Sequence, residues 1–231
     1  MQRKIKITKD FLSNPESSVL IEIGNTKVIC NITIENNVPP FMKDTGKGWI
    51  TTEYSMLPRS TKERMRREAN VGKISGRTAE IQRMIGRSLR AAVDLTKMTG
   101  YTAMVDCEVI QADGGTRTTS ITGAAVALHI AFDKYVQKGI FIENPMKEMI
   151  AAISVGVFEN KIVVDLDNDM DNNAQVDMNI VMTESGKFVE IQGTGEEFSF
   201  SRDELNAMLD EAEKAIRNLI KYQREILGDH L

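Results

Sequence analysis

The sequence predicts an α+β fold with mixed sheets, organised as one domain with two pseudo-duplicated halves. Two observations carry this. Short β-rich runs alternate with longer stretches of helical period, and in each half a group of strands is followed by a helix. No low-complexity segment or evident linker interrupts the 231 residues, which are ample for a single large core.

Strand-like runs open the chain: KIKIT (4–8), SVLIEIG (18–24) and KVICNITI (27–34). Asn25-Thr26 after Gly24 makes the last two a hairpin. Residues 35–60 are loop-rich, punctuated by Pro39, Pro40, Gly46, Gly48 and Pro58. Over 78–95 the period turns helical: Ile81, Met84, Ile85, Ser88, Leu89 and Ala92 share one face, and Arg83, Arg87 and Arg90 another. A strand is expected at 102–110, and a helix at 120–137 whose Ala and Gly content allows close packing. Strands follow at 151–157, 161–166, 177–183 and 187–192. The last helix runs from about 202 to 227, opened by a Ser201/Glu204 capping box and striped by Leu205, Met208, Leu209, Ala212, Ile216, Leu219, Ile220 and Leu227.

Composition excludes several classes. The longest apolar run is far short of a membrane span, and MQRKIKITKDF lacks a signal region, so a cytoplasmic protein is expected. Cys30 and Cys107 sit in strand-like runs and read as buried free thiols rather than a disulfide. Two cysteines and two histidines, widely scattered, make no four-ligand zinc site. His129 and His230 lack a partner pattern and read as structural or exposed. There is no GxxxxGK[ST] loop and no GxSxG elbow. Trp49 is open to two readings, core packing or stacking on a base.

Three stretches carry chemistry. QADGGTRTTSIT (111–122) sets two glycines, Arg117 and five hydroxyls against an apolar helix. Glycines permit close backbone approach, a guanidinium suits oxyanions, and a helix start offers unpaired N–H groups. The stretch therefore reads as a phosphate holder. Residues 59–90 hold ten Lys or Arg and three Glu, a +7 window in a chain of net charge −4. That window suits a polyanion, with a solvated charged helix as the competing reading. Residues 163–179, VVDLDNDMDNNAQVDMN, crowd five aspartates together. An EF-hand fails, because the required Gly and Glu positions are filled by other residues whether the loop starts at Asp165 or Asp167. What stays open is a solvated acidic turn, or Asp171 and Asp177 brought together across a turn to hold Mg²⁺ or Mn²⁺ or to act as general acid. Phosphate positioning, charge neutralisation and an acidic pair together suit phosphoryl transfer on nucleic acid.

The chain resembles the ribonuclease PH family of bacterial phosphorolytic exoribonucleases through TTEYSMLPRST (51–61), SGRTAEIQRMIGRSLRAAVDL (75–95), DCEVIQADGGTRTTSITGAAVAL (106–128), NNAQVDMNIVMT (172–183) and EIQGTGEEFSF (190–200). The resemblance implies a ribosomal-protein-S5-domain-2-like fold with duplicated βαβ lobes and packed helices. It implies assembly as a homo-hexamer, a trimer of dimers. The implied reaction is attack of inorganic phosphate, as co-substrate, on the terminal 3′ linkage of tRNA precursors and other RNA 3′ ends. By the same resemblance, Arg77, Gly115, Thr116 and Arg117 bind phosphate. Asp171 and Asp177 are the catalytic pair and metal ligands, and Arg59, Arg64 and Arg67 contact tRNA. The resemblance also carries an alternative, a non-catalytic RNA-binding ring subunit of exosome type. The chain departs from the family in beginning at MQRKIKIT without an Asp-Gly-Arg segment, which is expected to bear on the active-site surround or the ring contacts. DNNA also replaces the commoner Asp-Ser-Ala-Ala, with little harm expected.

Overall fold

A computed structural model describes residues 2–195 and 198–228. Five strands form the first sheet: β1 (Ile5–Lys9), β2 (Ser17–Ile23), β3 (Thr26–Glu35), β4 (Trp49–Met56) and β5 (Thr102–Gln111), in the order β1-β2-β3-β5-β4. Only β4 and β5 pair in parallel, joined through helix α1 (Gly76–Ala92) in a βαβ crossover. The second sheet, β7-β6-β8-β9, uses β6 (Ile150–Phe158), β7 (Lys161–Val164), β8 (Val176–Thr183) and β9 (Phe188–Thr194), and is antiparallel at each pairing.

Helix α2 (Thr116–Gln137) lies between the sheets, touching β2 and β3 of one and β6 of the other. Its Ala- and Gly-rich sequence makes that possible: a Cβ on Gly123 would fall 2.5 Å from Ile21. Helix α4 (Arg202–Leu227) starts with the expected reciprocal Ser201/Glu204 capping box and packs on β6. Its fully buried Gln223 donates to the carbonyls of Thr122 and Ile150. One continuous apolar core runs through both halves. Cys30 and Cys107 are free, buried and directly opposite each other on β3 and β5. The Cys30 thiol is pushed well above its ordinary range by its contact with Cys107 and by burial.

Several expectations need adjustment. β4 occupies part of what reads as loop over 35–60. α2 begins four residues ahead of the expected 120, so the hydroxyl-rich stretch lies within the helix rather than before it. The hairpin turn is Gly24-Asn25, with Thr26 already in β3. His129 lies beside Asp133 on α2, its Nδ1 3.1 Å from the carboxylate, a structural pairing; His230 lies outside the described residues. Trp49 is half-buried, edge-on to Phe41 and covered by the Arg90 guanidinium 4.5 Å from its ring centre. Among the described residues no helix is long and apolar enough to cross a membrane.

Candidate active site

The GGTR loop owes its shape to its glycines. Gly114 (φ +75°) and Gly115 (φ +64°) are both left-handed, and Gly115 caps α2. A Cβ on Gly114 would stand 2.4 Å from the Leu166 carbonyl oxygen and 2.6 Å from the Asp167 carbonyl carbon. Without one, the loop rests on the backbone that enters the short helix α3 (Asn168–Asp171). Buried Thr26 anchors the loop to β3: its Oγ1 donates to the Gly114 carbonyl at 2.6 Å and accepts from the Asp113 N–H at 2.9 Å.

The second sheet forms the facing wall. Residues paired directly across strands share a face. Ser154 lies opposite Asn179 and Gly156 opposite Asp177, while on the next strand Gln192 and Thr194 lie opposite Asn179 and Asp177. One face therefore presents Ser154, Asp177, Asn179, Gln192 and Thr194. That face meets the GGTR segment, because Gln192 Oε1 accepts from Arg117 Nη1 at 3.2 Å. Gln192 also donates through Nε2 to Glu80 on α1. Asp177 is half-buried on this face, and exposed Asp171 ends α3, just past the backbone that bears on Gly114.

Arg77 enters from the first turn of α1, where Ser75 caps the helix. It shares a cavity with Tyr54 of β4, whose phenol meets Thr116, the residue before Arg117. Burial pushes the Tyr54 phenol above its ordinary 10, and its hydrogen bond with Thr116, then the charges of Arg77 and Arg117, offset part of that rise. The phenol is thus neutral, 2.9 Å from Thr116 Oγ1. Arg77 and Tyr54 also line a cavity of about 750 Å³ with Met65, Arg66 and Arg67.

Arg59, Arg64 and Arg67 are exposed on the irregular segment leading to α1. Arg59 Nη1 donates to the Lys62 carbonyl, and Arg67 shares the cavity with Arg77. The other half of the +7 window is partly occupied. Arg87 pairs with Glu190 at 2.6 Å and Arg90 donates to the Ile50 carbonyl.

One expected feature takes a different form. Three of the four hydroxyls after GGTR are turned away from an incoming phosphate: Thr118, Ser120 and Thr122 donate to the carbonyls of Gly115, Thr116 and Thr118. Three of the five aspartates in the acidic run have other partners. Asp165 is buried against Arg3, Asp167 caps α3, and Asp169 points toward Lys62. Among the described residues no three His, Cys, Asp or Glu converge as a metal cluster. Asp171 and Asp177 each offer carboxylate oxygens, which suit a hard divalent cation that completes its shell with phosphate oxygens and water. Sequence reasoning passed over Tyr54, Gln192 and Arg3. Only Tyr54 carried a local signal, the alternation Trp49–Met56, hidden among prolines and glycines.

The fold and site together define a two-sheet α+β protein with a glycine- and arginine-bearing loop at a helix start, set beside a carboxylate-bearing turn. Residues 1–132 match domain 1 of the 3′ exoribonuclease family, and residues 148–215 match its domain 2. The chain belongs to that family. It is 58% identical over 230 residues to ribonuclease PH of Bacillus subtilis, covering 99% of this chain and 94% of that one. It is 55% identical over 228 residues to ribonuclease PH of Bacillus pumilus, covering 98% and 94%. Among solved structures it superposes on an Archaeoglobus fulgidus exosome with RNA bound to the active site at TM-score 0.81 and 20% identity, covering 96% of this chain and 89% of that one. It superposes on rice (Oryza sativa) Rrp46 at TM-score 0.79 and 18% identity, covering 98% and 96%. Those two likenesses establish the fold.

Proposed function

We propose that this protein is a phosphate-dependent 3′-to-5′ exoribonuclease, a phosphorolytic nucleotidyltransferase that trims 3′ extensions of tRNA precursors and other RNA 3′ ends. The observation that carries the reading is that Arg117 meets the sheet face bearing Asp177, while Arg77 shares a cavity with Tyr54, whose phenol meets Thr116 beside Arg117. Inorganic phosphate sits between the two guanidiniums and the N–H groups of Gly115 and Thr116 at the start of α2. One phosphate oxygen attacks the phosphorus of the terminal linkage. The bond from that phosphorus to the 3′ oxygen of the preceding nucleotide breaks, and a nucleoside diphosphate leaves. The reverse reaction adds nucleotides.

Asp171 and Asp177 would hold Mg²⁺ or Mn²⁺, and whichever of them carries a proton would deliver it to the departing 3′ oxygen. A bound divalent cation would neutralise charge on the phosphoryl oxygens. Arg59, Arg64 and Arg67 contact the RNA backbone without reading sequence. The working particle is a homo-hexamer, a trimer of dimers, in the cytoplasm. The alternative of a non-catalytic ring subunit is less well supported. Identity to ribonuclease PH is 58%, against 18% to rice Rrp46, and both arginines and both aspartates are retained. The test is turnover of a tRNA with a short 3′ extension, with Mg²⁺, with and without inorganic phosphate. Nucleoside diphosphates released only with phosphate are expected. Nucleoside monophosphates released without it would mean hydrolysis and overturn the reading.

A further inference from the structure

We infer that Arg3 is a positioning residue for phosphate-dependent turnover, stapling the GGTR loop to the acidic turn and so setting where bound phosphate stands relative to Asp171 and Asp177. The inference rests on the phosphorolytic reading above. Arg3 precedes β1 and lies far along the chain from everything it touches. Its Nη1 donates to the Asp113 carbonyl at 2.5 Å, next to the two glycines. Its Nη2 donates to Asp165 Oδ1 at 2.6 Å and reaches the Leu166 carbonyl at 3.3 Å. Its backbone N–H donates to Asp165 Oδ2 at 2.8 Å. One planar fork thus holds one loop with each arm, a geometry a lysine cannot reproduce. Nη2 also lies 3.3 Å from where a Cβ on Gly115 would stand.

Each loop is already fastened to its own sheet. Thr26 ties the GGTR loop to β3. Ser154 ties the acidic turn to β6, through its carbonyl to the Asp165 N–H at 2.7 Å and its Oγ to the Leu166 N–H at 3.0 Å. Neither anchor fixes the separation between the loops. Gly114 sets how closely they can approach, and Arg3 supplies the attraction that holds them there. A buried ion pair adds little net stability compared with an apolar replacement, and with Asp165 only 3% exposed, stability alone is a weak reason for this one.

The test uses the full-length chain carrying Arg3→Met, Arg3→Lys, or Arg3→Met with Asp165→Asn, in phosphorolysis assays that vary phosphate and RNA independently. Arg3→Met should lower kcat/KM for phosphate by about 10- to 100-fold through misplacement of the loop, with KM for RNA little changed. Arg3→Lys keeps the charge and loses the fork, so its loss should be intermediate. The double variant removes the unpaired buried carboxylate, so it should regain thermal stability without regaining phosphate KM. Amide exchange should rise together over 112–118 and 164–171 in each Arg3 variant. A double variant that recovers phosphate KM along with stability would overturn the inference, because Arg3 would then only compensate a charge. So would an Arg3→Met protein that loses stability while kcat and phosphate KM hold. If the unsubstituted protein shows no phosphate dependence, the phosphorolytic reading fails by itself, and coupled exchange in the two loops still decides whether the staple exists.

Discussion

Gly114→Ala is the sharpest test of the contact between the GGTR loop and the acidic turn. Gly114 sits at φ +75°, where an alanine costs about 1–2 kcal/mol. The new Cβ would start 2.4 Å from the Leu166 carbonyl oxygen and 2.8 Å from the Asn168 nitrogen, both backbone atoms that cannot swing aside. Restoring ordinary contact requires the loops to separate by about 1 Å, at a further overpacking cost of about 1–3 kcal/mol. The summed loss of about 2–5 kcal/mol corresponds to a fall in Tm of about 5–15 °C for a chain of this length. A 1 Å displacement of a positioned group costs about 100-fold in turnover. Gly139→Ala, just past the other end of α2, isolates the backbone component: φ is +70° and nothing lies within 4 Å of the new Cβ. It should lose only the conformational cost and keep full activity. Phosphorolysis with saturating RNA and varied phosphate, beside thermal melts of both variants, checks the expectation. If Gly114→Ala turns over like Gly139→Ala, the contact between the loops does not position the site.

Other substitutions separate the components of the site. Arg117→Ala should raise KM for phosphate sharply while RNA affinity falls much less; equal loss of both would sink the assignment of separate sites. Asp177→Asn should abolish turnover and leave RNA binding largely intact in a filter or gel assay, and retained activity would contradict its catalytic role. Alanine at Arg59, Arg64 or Arg67 should weaken RNA binding and reduce the slope of log K against log salt by about 0.7 for each RNA phosphate no longer neutralised. Glu184 tests pH dependence. Its hydrogen bond from Arg224, 2.6 Å from Nη2, holds its carboxyl below the ordinary 4.5. A depressed folded value means this stabilisation is present above 4.5 and fades as pH falls through the folded value. Melts of Glu184→Gln should therefore lie below those of the parent at neutral pH, with the gap closing in acid.

What could be read from the sequence was local, and what could not was relational. Most strands and helices announced themselves by period, because each buries one face against a neighbour. β4 did not: it is an edge strand, half-exposed, and the prolines and glycines around it belong to the loops that flank it rather than to the strand. The hydroxyls after GGTR read as an open phosphate cradle because Ser and Thr favour caps and loops. Two consecutive left-handed glycines start the helix at Thr116 instead, and three of the hydroxyls turn inward to carbonyls one turn back. The aspartates show the same limit. The turn in 163–179 pointed to Asp171 and Asp177 but did not say what the other three do: Asp165 faces an arginine 162 positions away, Asp167 caps α3, and Asp169 turns toward Lys62. Arg117 was visible because a guanidinium beside two glycines and a helix start is a local chemical fact, whereas Arg77 came only with the family resemblance. How the motifs meet was not visible, because it depends on Tyr54 meeting Thr116 across 62 residues and Gln192 meeting Arg117 across 75. The residues proposed to hold phosphate thus lie in short motifs, while those that fix the distances between motifs are scattered, and substitutions at the scattered positions test the geometry without removing the chemistry.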